Sequence, residues 1–143
     1  SKVENALQKN PDTKFLLHGP EAEDYITDLV EKYPNVYYSI DVILIRLSSS
    51  SGPLMYTVSG QEEYKLKFAQ NFDAMVNGAV NTWKNRIEQH PDRFMWGTDR
   101  AADWHQTEEI SILVEEFARA FIGKLPADVQ EKYAYQNAEN LIQ

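Results

Sequence analysis

Three polar side chains in this sequence each follow a proline turn and an apolar run, and they are the first candidates for chemistry. Asn10-Pro11-Asp12 leads through Phe15-Leu16-Leu17 to His18. Tyr33-Pro34-Asn35 leads through Val36 to Ile40 and then Asp41. Pro91-Asp92 leads through Arg93-Phe94-Met95-Trp96, past Gly97 and Thr98, to Asp99. A short apolar run bounded by turn residues reads as a strand, so each polar group leaves a strand end. Carboxylates and an imidazole placed there can bind a ligand or move a proton. Each also has a plainer role. An aspartate after a strand accepts bonds from loop amides, and a lone histidine after an apolar run can be satisfied by a neighbour. For Asp41, followed at once by more apolar residues, the turn or capping role is preferred. Asp103, Trp104 and His105 form a second polar cluster just after Asp99. His90 stands at the opposite strand end and reads as structural, while Trp83 and Trp96 read as core.

The stretches between these groups must position them. Val3 to Lys9 reads as a helix closed by Asn10-Pro11, and Thr13 to Leu17 as a strand covered on both faces. Gly19-Pro20 then opens a helix whose apolar positions Ala22, Tyr25, Ile26, Leu29, Val30 and Tyr33 recur at helical steps, with Glu21, Glu23 and Asp24 near its N-terminus. Beyond Asp41, two apolar stretches, Val42 to Leu47 and Leu54 to Val58, flank the Ser48 to Pro53 turn. They predict an extended excursion, possible as a hairpin over the rim. Glu62 to Gln89 predicts a long helix. Its Gly78 costs about 1 kcal/mol relative to alanine and so suggests a bend or a close neighbour. Thr107 is the candidate N-cap of a further helix with apolar positions Ile110, Leu113, Val114, Phe117 and Phe121. Gly123 is its stop, and Pro126 opens a last helix to about Ile142. Strands alternating with amphipathic helices make parallel βαβ units. That topology brings His18, Asp41 and Asp99 to one sheet edge, where ligands bind in parallel α/β folds. His18 and Asp99 are thus expected to crown neighbouring strands.

The bulk composition narrows the function classes. The chain has 143 residues, a net charge of −8, 43% hydrophobic residues and no cysteine, which bounds it to one domain or part of one. An acidic balance argues against nucleic acid, and no apolar run approaches the roughly 20 residues of a membrane span. Without cysteine there are no disulfides, thiolate zinc sites or cysteine nucleophiles. That absence fits the cytosol and an exported compartment alike, so the cytoplasm is favoured only slightly. Glycine-rich phosphate loops and basic clusters are missing as well.

The phrase His90-Pro91-Asp92-Arg93-Phe94-Met95-Trp96-Gly97-Thr98-Asp99 resembles the last barrel strand of the metal-dependent amidohydrolase superfamily. It is closest to the amidohydrolase-2 group, with its aminocarboxymuconate-semialdehyde decarboxylase-like enzymes. Lys14-Phe15-Leu16-Leu17-His18-Gly19 is similar to that group's sixth strand, and Tyr33-Pro34-Asn35-Val36-Tyr37-Tyr38-Ser39 to its seventh. Leu125-Pro126 and the Gln136-Asn137-Ala138-Glu139-Asn140-Leu141 tail resemble its closing helix. The resemblance spans nearly the whole chain apart from an insertion at about 42–60. It implies an α/β fold, the C-terminal βα units of a (β/α)8 TIM barrel of typically about 250 residues, with about three parallel strands and flanking helices here. It implies that Asp99 is a metal ligand and proton acceptor for an attacking water, and that His18 lies beside the metal. Trp104 and His105 would fall near the substrate mouth. The family's His-x-His pair is not in this sequence. Catalytic zinc sites usually have three protein ligands, so a divalent metal, zinc by preference, would bind this chain alone weakly. The implied activity is hydrolysis of an amide, ester or lactone carbonyl in a small-molecule substrate. Non-oxidative decarboxylation of an aromatic or unsaturated acid is the alternative, and an assembly piece without catalysis is a third reading. Three strands cannot close a barrel, so a missing N-terminal part or a second copy is expected to cover open edges. A compact monomer would leave Phe72, Trp83 and Phe117 poorly covered.

Overall fold

The computed structural model describes residues 1–19, 23–40 and 44–143. Asp41, and with it Pro20, Glu21, Ala22, Val42 and Ile43, lies outside the described residues. The rest is an α/β arrangement around a three-stranded parallel sheet in the order β1-β2-β3. The strands are β1 (Phe15–His18), β2 (Val36–Ile40) and β3 (Phe94–Trp96). Phe15 registers with Val36, Tyr38 with Phe94, and Ile40 with Trp96. Helix α1 (Lys2–Lys9) precedes the sheet, and α2 (Glu23–Lys32) joins β1 to β2. The segment between β2 and β3 holds α3 (Leu54–Thr57) and the long α4 (Gln61–Gln89). After β3 come α5 (Glu108–Ile122), α6 (Ala127–Glu131) and α7 (Asn137–Ile142).

Alternation along the strands decides which side the helices cover. Val36, Tyr38, Ile40 and Phe94 are all 0% exposed and share one face. There Trp83 of α4 stacks on Tyr38 at 5.8 Å and meets the edge of Phe94 at 6.1 Å. Ile26, Leu29 and Val30 of α2 belong to the same core. Arg86 of α4 ties the two helices together through Asp24 at 2.6 Å and Thr27 at 3.1 Å. The opposite face is more open. Leu16 is 46% exposed and His18 is exposed, so β1 is not covered on both faces as its apolar run predicts.

Several other expectations change. The apolar stretch at Leu54 is a short helix, not the arm of a hairpin, with Leu54 and Met55 buried. Trp83 and Phe117 are buried at 1% and 0% exposure, because α2, α4 and α5 close around a single face. Phe72 is half-buried and packs edge-on against Phe117 at 6.3 Å. At Gly78 α4 runs unbroken, and the glycine has no close neighbour: a Cβ added there meets nothing within 4 Å. Thr107 precedes α5 but does not cap it; its hydroxyl donates to Trp104 O at 3.0 Å. Gly123 ends α5 in a right-handed conformation, and a Cβ there would come within 3.2 Å of Arg119 O, so crowding rather than φ favours glycine. The last helix is interrupted by a π-helical stretch, Lys132–Gln136. A wider turn at that point carries the buried Tyr133, whose hydroxyl donates to Ile40 O at 3.1 Å.

Polar side chains fix the N-terminal end of the sheet. Asn137 Nδ2 donates to Pro91 O at 2.7 Å and Phe94 O at 2.8 Å, and Asn35 Nδ2 to Asn10 O and Thr13 O at 3.0 and 2.8 Å. Arg93 Nη1 reaches Val36 O at 2.8 Å while its guanidinium sits 5.3 Å from the Tyr37 ring centre. His90 terminates α4, with Nε2 3.6 Å from Glu31, in keeping with a structural place.

Candidate functional site

Parallel strands put their C-terminal ends on one edge, and two of the three candidates stand there. His18 is the last residue of β1, opposite Ser39 of β2. Gly19 follows with φ 115°, a left-handed turn that glycine adopts without a Cβ penalty. The Tyr38 hydroxyl, rising from the covered face, donates to the Gly19 carbonyl and anchors that turn. Asp99 lies three residues beyond β3 with φ 39°, a conformation that aspartate tolerates better than most side chains. Both His18 and Asp99 are exposed.

They are not on neighbouring strands. The order β1-β2-β3 puts β2 between them, and two strand spacings amount to about 10 Å. A single water or carbonyl does not bridge that distance, so the two groups share an edge without forming a contact pair.

The segment between β2 and α4 contributes a residue at the rim that residue spacing does not single out. Tyr56, on α3, places its hydroxyl 3.2 Å from Asp99 Oδ2 and also against the Asp99 carbonyl. No spacing signal marks Tyr56, because the stretch around it reads as a strand until the tertiary fold turns it into a helix.

Trp104 and His105 lie in a 3-10 turn, Asp103–Gln106. His105 is 2% exposed. Its Nδ1 accepts from the amides of Ala101 and Ala102 at 3.2 and 3.1 Å, and the ring is also hydrogen-bonded to the Met55 backbone. Burial, first, and the nearby Arg100 charge hold its pKa below the ordinary 6.5 against that Met55 bond. The imidazole is therefore a neutral clamp between α3 and the loop after β3, with both nitrogens turned inward. Trp104 is half-buried, 4.1 Å from His105 and 5.8 Å from Tyr64 between ring centres. Beneath this cluster, the Tyr64 hydroxyl and Arg100 Nε are enclosed without a hydrogen-bond partner. Burial pushes the Tyr64 hydroxyl pKa up. Arg100 Nη1 donates to Ser111 Oγ at 2.5 Å.

Among the described residues a resident metal would find too few ligands here. Among the described residues no three His, Asp or Glu side chains gather into a metal-holding group. The rim offers His18 and Asp99, set apart by β2, where a catalytic zinc uses three converging protein ligands. The described donors therefore do not fit a complete metal site. No helix of the described chain is long and apolar enough to cross a membrane. No family model, no curated protein and no solved structure matches this chain.

Proposed function

We propose that this chain supplies Asp99 and His18 to the site of a metal-dependent hydrolase built on a (β/α)8 barrel, of which these are the last three βα units. The observation that carries the reading is the exposure of both side chains at the C-terminal edge of a parallel sheet, the edge on which such barrels place their chemistry. The uneven coverage of the sheet supports it too. At β1 Leu16 and His18 lie open on the face opposite the core, as they would on the inner wall of a barrel, while Met95 of β3 on that same face is 3% exposed.

In this reading the Asp99 carboxylate accepts a proton from water attacking an amide, ester or lactone carbonyl. The His18 imidazole, on the far side of β2 from Asp99, donates a hydrogen bond to a part of the substrate away from the attacked carbonyl. Because the described donors fall short of a metal site, no step is assigned to the metal, whose remaining ligands would come from strands outside this chain. The isolated chain is accordingly expected to be inactive.

The test has two arms. Zinc titration of the isolated chain, with native mass measured in parallel, should show no tight stoichiometric site. In a protein carrying all eight strands, Asp99→Asn and His18→Ala should each lower ester or lactone hydrolysis by roughly 100-fold or more. A monomer of this chain holding one equivalent of zinc, or a complete barrel indifferent to Asp99→Asn, would refute the proposal.

A further inference from the structure

The buried imidazole of His105 joins the loop after β3 to α3. Its Nδ1 accepts from the Ala101 and Ala102 amides at 3.2 and 3.1 Å, and the ring is bonded to the Met55 backbone on its other side. The neighbouring Tyr56 packs its ring 5.7 Å from His105 and holds its hydroxyl 3.2 Å from Asp99 Oδ2. Leu54 and Met55 are 0% and 2% exposed, whereas Ala101, Asp103 and Gln106 are exposed. Helix α3 is thus the seated partner, and the loop is the part that can lift. It runs from Asp99, whose φ is 39°, to the start of α5 at Glu108.

A neutral Nδ1 accepts from both amides, but a protonated one would turn an N–H toward them. The surrounding groups do not compensate. Among the described residues, Arg100 faces the ring from the loop with a charge that opposes protonation, and no carboxylate favours it. Helix α3 presents the Tyr56 ring, and α4 presents Tyr64, 5.8 Å from the intervening Trp104. Asp103 on the same turn is exposed, and from α5 the Ser111 hydroxyl accepts from Arg100 Nη1. The packing beneath the loop is a second, independent observation. The Tyr64 hydroxyl and Arg100 Nε are enclosed there without a hydrogen-bond partner, which is unfavourable until water reaches them.

We propose that His105 is a proton-operated latch: when its ring takes up a proton, residues 100–106 lift from α3 and Tyr56 parts from Asp99, while the sheet stays folded. Lifting the loop lets water reach Tyr64 and Arg100. Burial, first, and the Arg100 charge hold the closed ring below the ordinary 6.5, whereas the ring of an open loop titrates at its ordinary value. The open state therefore takes up the proton first, and opening grows as pH falls from 6.5 toward the closed value. One linked proton raises the opening constant by at most about tenfold per pH unit. The latch does not rest on the hydrolase reading.

The test is amide hydrogen exchange on the full chain, followed by NMR from about pH 7 to about pH 5 and corrected for intrinsic exchange. Protection of the Ala101 and Ala102 amides should fall by up to about tenfold per pH unit below 6.5. The Tyr56 ring signals should move in step. The Tyr38 amide, bonded to Arg93 O inside the sheet, should keep its protection. His105→Asn offers an amide oxygen in place of Nδ1 and has no proton to gain, so its protection at 101 and 102 should be level with pH. Unchanged protection at these two amides in the parent would overturn the proposal, as would Tyr56 signals that stay still. So would a Tyr38 amide that falls in step, which marks global unfolding, or a folded His105→Asn chain that keeps the parent's pH dependence. If that variant does not fold, the parent's own series decides.

Discussion

The two ends of the sheet are built on different terms. At the N-terminal end, Asn35 and Asn137 are 8% and 3% exposed, and each spends its amide on two backbone carbonyls. Arg93 adds a bond to Val36 O across strands. At the C-terminal end, His18 and Asp99 are exposed, and both turns there depend on positive φ, at Gly19 and Asp99. Two buried polar atoms just beyond that end, on Tyr64 and Arg100, lack hydrogen-bond partners. The difference separates two tasks. Side chains that close backbone carbonyls inside the fold hold the strands in register. Side chains at the other end stay exposed, Asp99 with its Oδ2 3.2 Å from the Tyr56 hydroxyl.

Substitutions can break that contrast, and the largest effect is expected at the closed end. Asn137→Ala leaves the Pro91 and Phe94 carbonyls without their donor, and should cost about 2–4 kcal/mol in urea unfolding. Asn35→Ala, which releases Asn10 O and Thr13 O, should cost about 1–3 kcal/mol in the same measurement. If either change is silent, the closed end does not hold the register as argued.

His105 sharpens the comparison, since it is the buried imidazole of the open end. Its folded pKa lies below the ordinary 6.5, so the unfolded chain takes up the proton first. Stability is then full above 6.5 and falls as pH drops from there toward the folded value. Protonation would also turn an N–H against the Ala101 and Ala102 amides. Unfolding curves across this range should show the decline in the parent and lose this contribution in His105→Asn. Gly78→Ala should raise stability by about 0.5–1 kcal/mol, because helix propensity improves with no clash. The smallest change is expected for Asp99→Asn, within about 0.5 kcal/mol, since asparagine also tolerates the left-handed backbone. A large loss there would mean that the open rim is structural after all.

Much of the framework is legible in the residue order. Proline turns and apolar runs locate all three strands, with β2 matching the expected Val36–Ile40. Helical spacing finds α4 to within a residue of its start and the body of α5. Leu54-Met55 is misread because a short apolar stretch carries no period long enough to tell helix from strand. Both residues are buried by tertiary contacts that local spacing does not announce. The partnership of His105 with Met55 and the amides of 101 and 102 joins segments far apart in the chain, so local spacing gives no sign of it.

The sequence by itself determined the parallel α/β order and the placing of His18 and Asp99 after strand ends, because backbone periodicity and proline turns act over a few residues. Tertiary structure alone decided that β2 parts those two groups, that His105 turns inward, and that Tyr56 reaches Asp99. Those outcomes depend on which distant surfaces exclude water from one another, and that is settled only when the whole core packs at once.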